Sequence, residues 1–388
     1  MGLFSTTMSF CQFQVEGHLP AHDVVDWAGQ RLAEKMFQSI DQTGAPISTG
    51  WVHIDDGWES NFSHAAAYRR DHYLAFTLRR DLRKVPKALL KEYLARAERS
   101  FLQAHPGLRR VPRYERDELR DRVEQALLAK ILPTPSFFDV VWNLESGLVT
   151  FTSCSGKIME IFRELFKDTF EGLRVVLFHP YARARKLVSA GLASELERTN
   201  QASSNTVISL VSENQWIGHE LMRWLIYRTM VESSRYVVTR PGPSSQGVPF
   251  IAYLSNRFKL RVGTDSGDQK LAISGPQDHY REVCAALRDG KEITEARLYL
   301  EADEQAWKMV VKGDVFHFGS FSCPPVRLGK DDITEEGNAQ EAVFYARMHA
   351  LETGLQLFDS LFGAFLEARL GPGWTTTQAD MGRWLASA

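Results

Sequence analysis

The chain has 388 residues and a formal net charge of −2, with 44% hydrophobic, 24% charged and 11% aromatic side chains. These proportions exclude collagen-like, purely coiled-coil and disordered chains and leave room for two or three domains, each with its own core. No apolar run approaches the ~20 residues that cross a bilayer, MGLFSTTMSF carries no signal-peptide pattern, and Cys11, Cys154, Cys284 and Cys323 form no CxxC pair, so a cytoplasmic protein with free thiols and no membrane partner is expected.

Met8 to Glu16 alternates like a strand. Ala21 to Ile40 reads as a helix on Val24, Trp27, Leu32 and Phe37. Gly50 to Ile54 reads as a strand that the Asp55-Asp56-Gly57 turn closes. After a strand at Tyr73 to Leu78, Pro86 opens a helix carrying Leu90, Leu94, Ala97 and Phe101, ended by His105-Pro106-Gly107. A second helix runs from Pro112 to Leu132, where Pro133 and Pro135 stop it. Phe138–Leu144 and Leu148–Thr152 form a hairpin around Gly147. Ser155 caps a helix to Phe170, and Val175 to Phe178 returns as a strand.

The polar stretch 187–207 is the expected linker between an N-terminal α+β domain (1–186) and a C-terminal α+β domain (208–388). The second half opens with a helix at Trp216 to Glu232 and a Pro/Gly/Ser loop. Strands at Phe250–Leu254 and Phe258–Val262, a helix at Asp278–Leu287 and a three-strand meander from Ile293 to Phe321 follow. Phe344, Met348, Leu351, Leu355, Phe358, Phe362 and Leu366 mark a long amphipathic helix that Gly371-Pro372 closes. Together the elements predict an α+β fold of antiparallel sheets with packed helices.

Enzyme signatures are incomplete. His219-Glu220 has no second histidine in register, Gly290-Lys291 lacks the P-loop spacing, and Gly242 to Gly247 holds no Gly-x-Ser-x-Gly. His53, Asp55, Asp56, Glu59 and His64 are the one local cluster of possible ligands; it reads as an ordinary turn or, if Asp55, Asp56 and Glu59 converge, as a metal-dependent nuclease site. A protein without catalytic residues, metal or cofactor is expected.

Charge is unevenly spread. Arg69 to Lys130 holds 17 basic and 9 acidic residues, and the remainder holds 29 basic and 39 acidic. The densest positions are Arg79, Arg80, Arg83, Lys84, Lys87, Lys91, Arg109 and Arg110, with Arg96, Arg99 and Arg113 behind them. Such a block facing a polyanion releases counterions whatever the base sequence, which points to nucleic acid. The alternative is an interaction module whose basic helices bind an acidic protein. A solvated pair laced by ion pairs is the plainer reading of the second helix, where signs alternate around Glu118 and Arg122. Phe137, just past two prolines, is a candidate loop contact. Phe358 and Phe362 serve core or dimer packing.

In order along the chain, Gly50-Trp51-Val52, the Pro86 helix, the basic Pro112 helix ending in Leu132-Pro133, Trp142, the Gly147 turn and Ser155-Gly156-Lys157 resemble the bacterial recombination-associated RdgC family. Arg288-Asp289-Gly290-Lys291 with its following strand, and the terminal helix, extend the resemblance, which lapses between about Ala182 and Gly267. Gly275-Pro276 stands where the family has basic and amide residues at a subunit contact. The resemblance implies a non-enzymatic, nucleoid-associated, ring-shaped homodimer. Such a ring encircles duplex DNA without sequence preference and restrains RecA filaments, with single-stranded DNA a further partner.

Overall fold

The computed structural model describes residues 2–264, 267–276, 280–325 and 336–387. The first stretch of elements is β1 (Thr7–Glu16), α1 (Val24–Glu34), β2 (Ile47–His53), β3 (Arg69–Arg70), β4 (Tyr73–Leu82), α2 (Lys87–Ala104) and α3 (Arg113–Leu128). Next come β5 (Thr134–Asn143), β6 (Leu148–Phe151), α4 (Gly156–Thr169), β7 (Arg174–Leu177), α5 (Pro180–Leu187), α6 (Ala193–Thr199), α7 (Val207–Glu213) and α8 (Trp216–Val231). The chain ends with β8 (Arg235–Val237), β9 (Pro249–Thr264), β10 (Gly267–Ser274), α9 (Arg281–Arg288), β11 (Glu292–Ala302), β12 (Gln305–Lys312), β13 (His317–Ser322), α10 (Glu336–Leu370) and α11 (Trp374–Ser387). The α+β expectation holds, with antiparallel pairing throughout the named strand pairs. No described helix is long and apolar enough to cross a membrane.

The chain divides into two units, neither of them continuous. Unit 1 comprises 1–18, 141–167 and 172–388; unit 2 comprises 19–140 and 168–171. This corrects the expected boundary: the polar stretch 187–207 is no linker, because it carries α6 and lies wholly inside unit 1. Polar residues there serve local turns instead, such as Asn214 Nδ2 donating to Asn200 Oδ1 at 2.8 Å.

In unit 2, β4 pairs with β2 from Ile47↔Leu82 to His53↔Phe76, and also with β3. Gly50 is required because a Cβ there would strike the backbone of Phe37. Its neighbour Trp51 is fully buried, edge-on to Phe76 at 4.9 Å, and its Nε1 donates to Thr169 Oγ1 at 2.8 Å. Phe170 fills the space between Trp27 and Phe76, at 5.4 and 6.2 Å. The helix expected to reach Ile40 stops at Glu34 because tertiary pairing captures the chain beyond it. Phe37 N–H donates to Trp51 O at 2.9 Å, and Trp51 N–H donates to Lys35 O at 3.0 Å. Thr169→Val keeps the shape but leaves the buried indole N–H unpaired; unfolding free energy, read by urea titration, falls by about 1–3 kcal/mol.

In unit 1 the strands run β10-β9-β11-β12-β13-β1-β6, with β7 beside β1 and β8 beside β9. The two strands expected at Phe250–Leu254 and Phe258–Val262 are one long strand. A bulge at Asn256 (φ 65°) shifts its register with β11 between Leu254↔Leu298 and Phe258↔Ala296. Helix α10 lies close on β12 and β13 because Gly354 leaves room for the rings of Trp307 and Phe321. Trp307 Nε1 donates to Ala350 O at 2.7 Å. Phe358 and Phe362 are core residues, edge-on to Phe316 at 5.2 and 5.0 Å. Gln356 Nε2 donates to Arg240 O and Ser244 O, so the Pro/Gly/Ser loop is fastened to α10. The helix start expected at Asp278 lies outside the described residues; α9 begins at Arg281.

His219 on α8 sits between Glu292 (Nδ1–Oε2, 2.7 Å) and Asp314 (Nε2–Oδ1, 2.8 Å). Burial lowers its pKa, but the hydrogen bonds and charges of the two carboxylates outweigh that and raise it to about 9. A folded-state pKa above the unfolded value of roughly 6.5 adds stability that is complete below ~6.5 and vanishes as pH rises through ~9. Thermal midpoints should fall across pH 7 to 10, roughly that window, and His219→Gln should flatten this alkaline limb.

Candidate nucleic-acid interface

Pro86 and Pro112, both at φ −58°, stand immediately before α2 and α3 and start each helix with a preset dihedral. The short connection folds the helices back on each other as an αα-hairpin about 27 Å long. Leu90, Leu94, Ala97 and Phe101 of α2 and Leu119 and Val123 of α3 are half-buried, and Leu127 is buried. Only Leu127 is fully buried, and α2 has no fully buried residue at all. The pair is therefore mostly surface.

That surface is sorted by sign. Between Lys84 and Arg110 there are seven basic residues and two acidic ones, whereas α3 carries four basic and five acidic. Lys84, Lys87, Lys91, Arg96, Arg99, Arg109, Arg110 and Arg113 are all exposed. Among the described residues none of these eight forms an ion pair; the one pair across the helices is Arg116–Glu98 at 2.6 Å. Tyr93 and Tyr114, 45% and 71% exposed, place aromatic rings on the same hairpin. The ion-pair lacing expected for α3 is reduced to that one pair among the described residues, and the cations of α2 and the connecting loop have none.

Three expected contact residues do not belong here. Arg79 is 4% exposed, and its guanidinium donates to Asp81 at 2.9 and 2.8 Å. The rings of Phe37 and Trp58 lie 4.1 and 4.2 Å from it. Arg83 is 5% exposed and donates to the carbonyls of Ile40 (2.8 Å), Asp41 (3.1 Å) and Thr43. Phe137 is half-buried within β5, not on a loop, with its ring against Gly57 and 6.2 Å from Trp58. Arg80 is half-buried. Asp81 signalled the first case: residues i and i+2 of a strand share a face.

The acidic cluster is also spent locally. Asp55 pairs with Arg70, and Asp56 Oδ1 accepts the Trp58 N–H at 2.9 Å. Glu59 Oε1 accepts from Ser60 and Asn61 N–H at 3.0 and 2.8 Å. Among the described residues no three His, Cys, Asp or Glu side chains gather to hold a metal ion. Trp58, 68% exposed above Arg79, was missed by sequence reasoning, because nothing in the local pattern separates it from a turn residue. Removing one partner of a buried pair strands the other charge, so Arg79→Ala should destabilise unit 2 by about 3–5 kcal/mol in a urea titration. Lys87→Ala should leave the midpoint unchanged within about 0.5 kcal/mol.

No curated protein sequence matches the chain. The family described as "Putative exonuclease, RdgC" matches residues 15–213, just over half of the chain, including all of unit 2 and with it the helical hairpin. With a hairpin of this make-up inside the matched span, the chain belongs to the RdgC family.

Proposed function

We propose that this protein binds duplex DNA without sequence preference, as a homodimer, and acts in recombination by restraining RecA-driven strand exchange on the nucleoid. The observation that carries the reading is the set of exposed, unpaired cations along α2 and the α2–α3 loop. Family membership links the chain to recombination. Lysine and arginine tips on a helix surface neutralise phosphates and release counterions without reading base edges. The family's printed description names an exonuclease. Here Asp55, Asp56 and Glu59 are occupied as an ion-pair partner and backbone acceptors, which favours a binding role.

Replacing Lys84, Lys87 and Lys91 with alanine should lower affinity for a duplex at least about tenfold and reduce the slope of log K against log salt by roughly 3, near one per lost phosphate contact. Unaltered binding would remove the hairpin from the interface. A dimer that encircles its substrate slides from linear duplex but stays on a closed circle of equal length. End-labelled duplex incubated with magnesium should be recovered at full length; progressive shortening would show a nuclease instead.

A further inference from the structure

We propose that unit 1 carries a separate binding face for single-stranded nucleic acid on the outer side of strands β9, β11 and β12. This inference rests on different residues from the hairpin, and the face lies wholly outside the span 15–213 that the family matches.

Strand alternation makes the face. Ala252, Leu254, Phe258 and Leu260 of β9 point inward and are buried, as are Ala296, Leu298 and Leu300 of β11 and Trp307, Met309 and Val311 of β12. Their alternate neighbours must point to the opposite side. Tyr253 lies opposite Tyr299, and Tyr299 lies opposite Lys308, so one row crosses all three strands. The two tyrosine rings are parallel within 4°, with centroids 5.1 Å apart. Both hydroxyls are held: Tyr253 Oη donates to Glu301 at 2.8 Å, and Asn256 Nδ2 donates to Tyr299 Oη at 2.7 Å. The rings are half-buried and already ordered, so a base stacking on them would immobilise little that is now free.

Cations surround this row. A groove of about 550 Å³ is lined by Asn256, Arg257, Lys259, Ser274 and Arg297. Glu295 is shared between Arg257 (2.9 Å) and Lys259 (3.0 Å), and Arg297 has no ion pair among the described residues. Lys308 and Lys312 are exposed on the neighbouring strand. Positive side chains beside ordered aromatic rings on an open sheet match a strand whose phosphates and unstacked bases are both within reach. Duplex DNA hides its base faces and offers the tyrosines nothing to stack on, so the face selects the single strand.

The test measures anisotropy of labelled oligo(dT) of about 20 nucleotides and of a duplex of equal length against the full chain. Tyr253→Leu with Tyr299→Leu should weaken oligo(dT) binding about tenfold, keep its salt slope and leave duplex binding within about twofold. Arg297→Glu with Lys308→Glu should weaken oligo(dT) binding and also flatten its salt slope. Equal losses for both DNAs, or no loss for either, would overturn the inference. Should the tyrosine variant fail to fold, photocrosslinking of wild-type protein to an iodouracil oligonucleotide decides: adducts on Tyr253 or Tyr299 support the face, and adducts confined to other segments reject it. If the α2 lysine variant loses the duplex while both sheet variants bind oligo(dT) normally, the hairpin reading stands and this one falls. The reverse pattern has the reverse meaning.

Discussion

The Arg79–Asp81 pair, sealed by Phe37 and Trp58, is the contact on which the candidate interface depends. A buried guanidinium is tolerable only when its charge and its donors are answered, and here a bidentate carboxylate, the Gly57 carbonyl and two aromatic faces answer them. The pair lies at the C-terminal end of β4. Four residues further on, Arg83 ties the chain to three carbonyls of segment 40–43. The helical hairpin follows directly. Because α2 buries no residue fully, its anchorage lies at this root, where Arg79 and Arg83, expected from sequence to touch phosphates, are instead buried and spent on internal partners.

Unit 1 solves a different problem, that of a long helix laid across a sheet. Helix α10 approaches β12 and β13 only where Gly354 yields to Trp307 and Phe321. Its buried polar residues then serve the neighbouring loop. Gln356 both donates to and accepts from residues 240–244, while Ser360 Oγ accepts the N–H groups of Thr239 and Arg240 at 3.1 and 3.3 Å. A segment rich in Pro, Gly and Ser is thereby made part of the core's edge. Its composition alone predicts a loop and cannot say that the loop is fastened.

Much of the fold was legible wherever a period ran long enough. The α2 and α10 helices follow long apolar spacings, and the β11–β13 meander was legible as consecutive strands. Errors came where tertiary contacts overrule local pattern: α1 stops early for the Trp51 pairing, and β9 continues through Asn256 because a bulge absorbs the break. Unit boundaries were hidden for the same reason, since 168–171 joins unit 2 through Thr169 and Phe170, residues that look like the end of an ordinary helix. Within the candidate site, the block of charge was visible but its partition was not. Arg79 and Lys87 are equivalent in a count, and only burial separates a structural guanidinium from an available one.

That partition also resolves the chain's near-neutrality. An overall charge of −2 argues against a polycation, yet the excess of acid lies outside Arg69 to Lys130. Exposed charges interact over a Debye length of about 8 Å at physiological salt. A hairpin about 27 Å long, in which α2 buries no residue, therefore exposes its cations with little cancellation from acids farther than that. On the proposed reading, acidic surface outside the basic faces would repel the same polyanion and keep contact to those faces. Segregation, more than total charge, is what the proposed DNA binding would require of a chain whose net charge is −2.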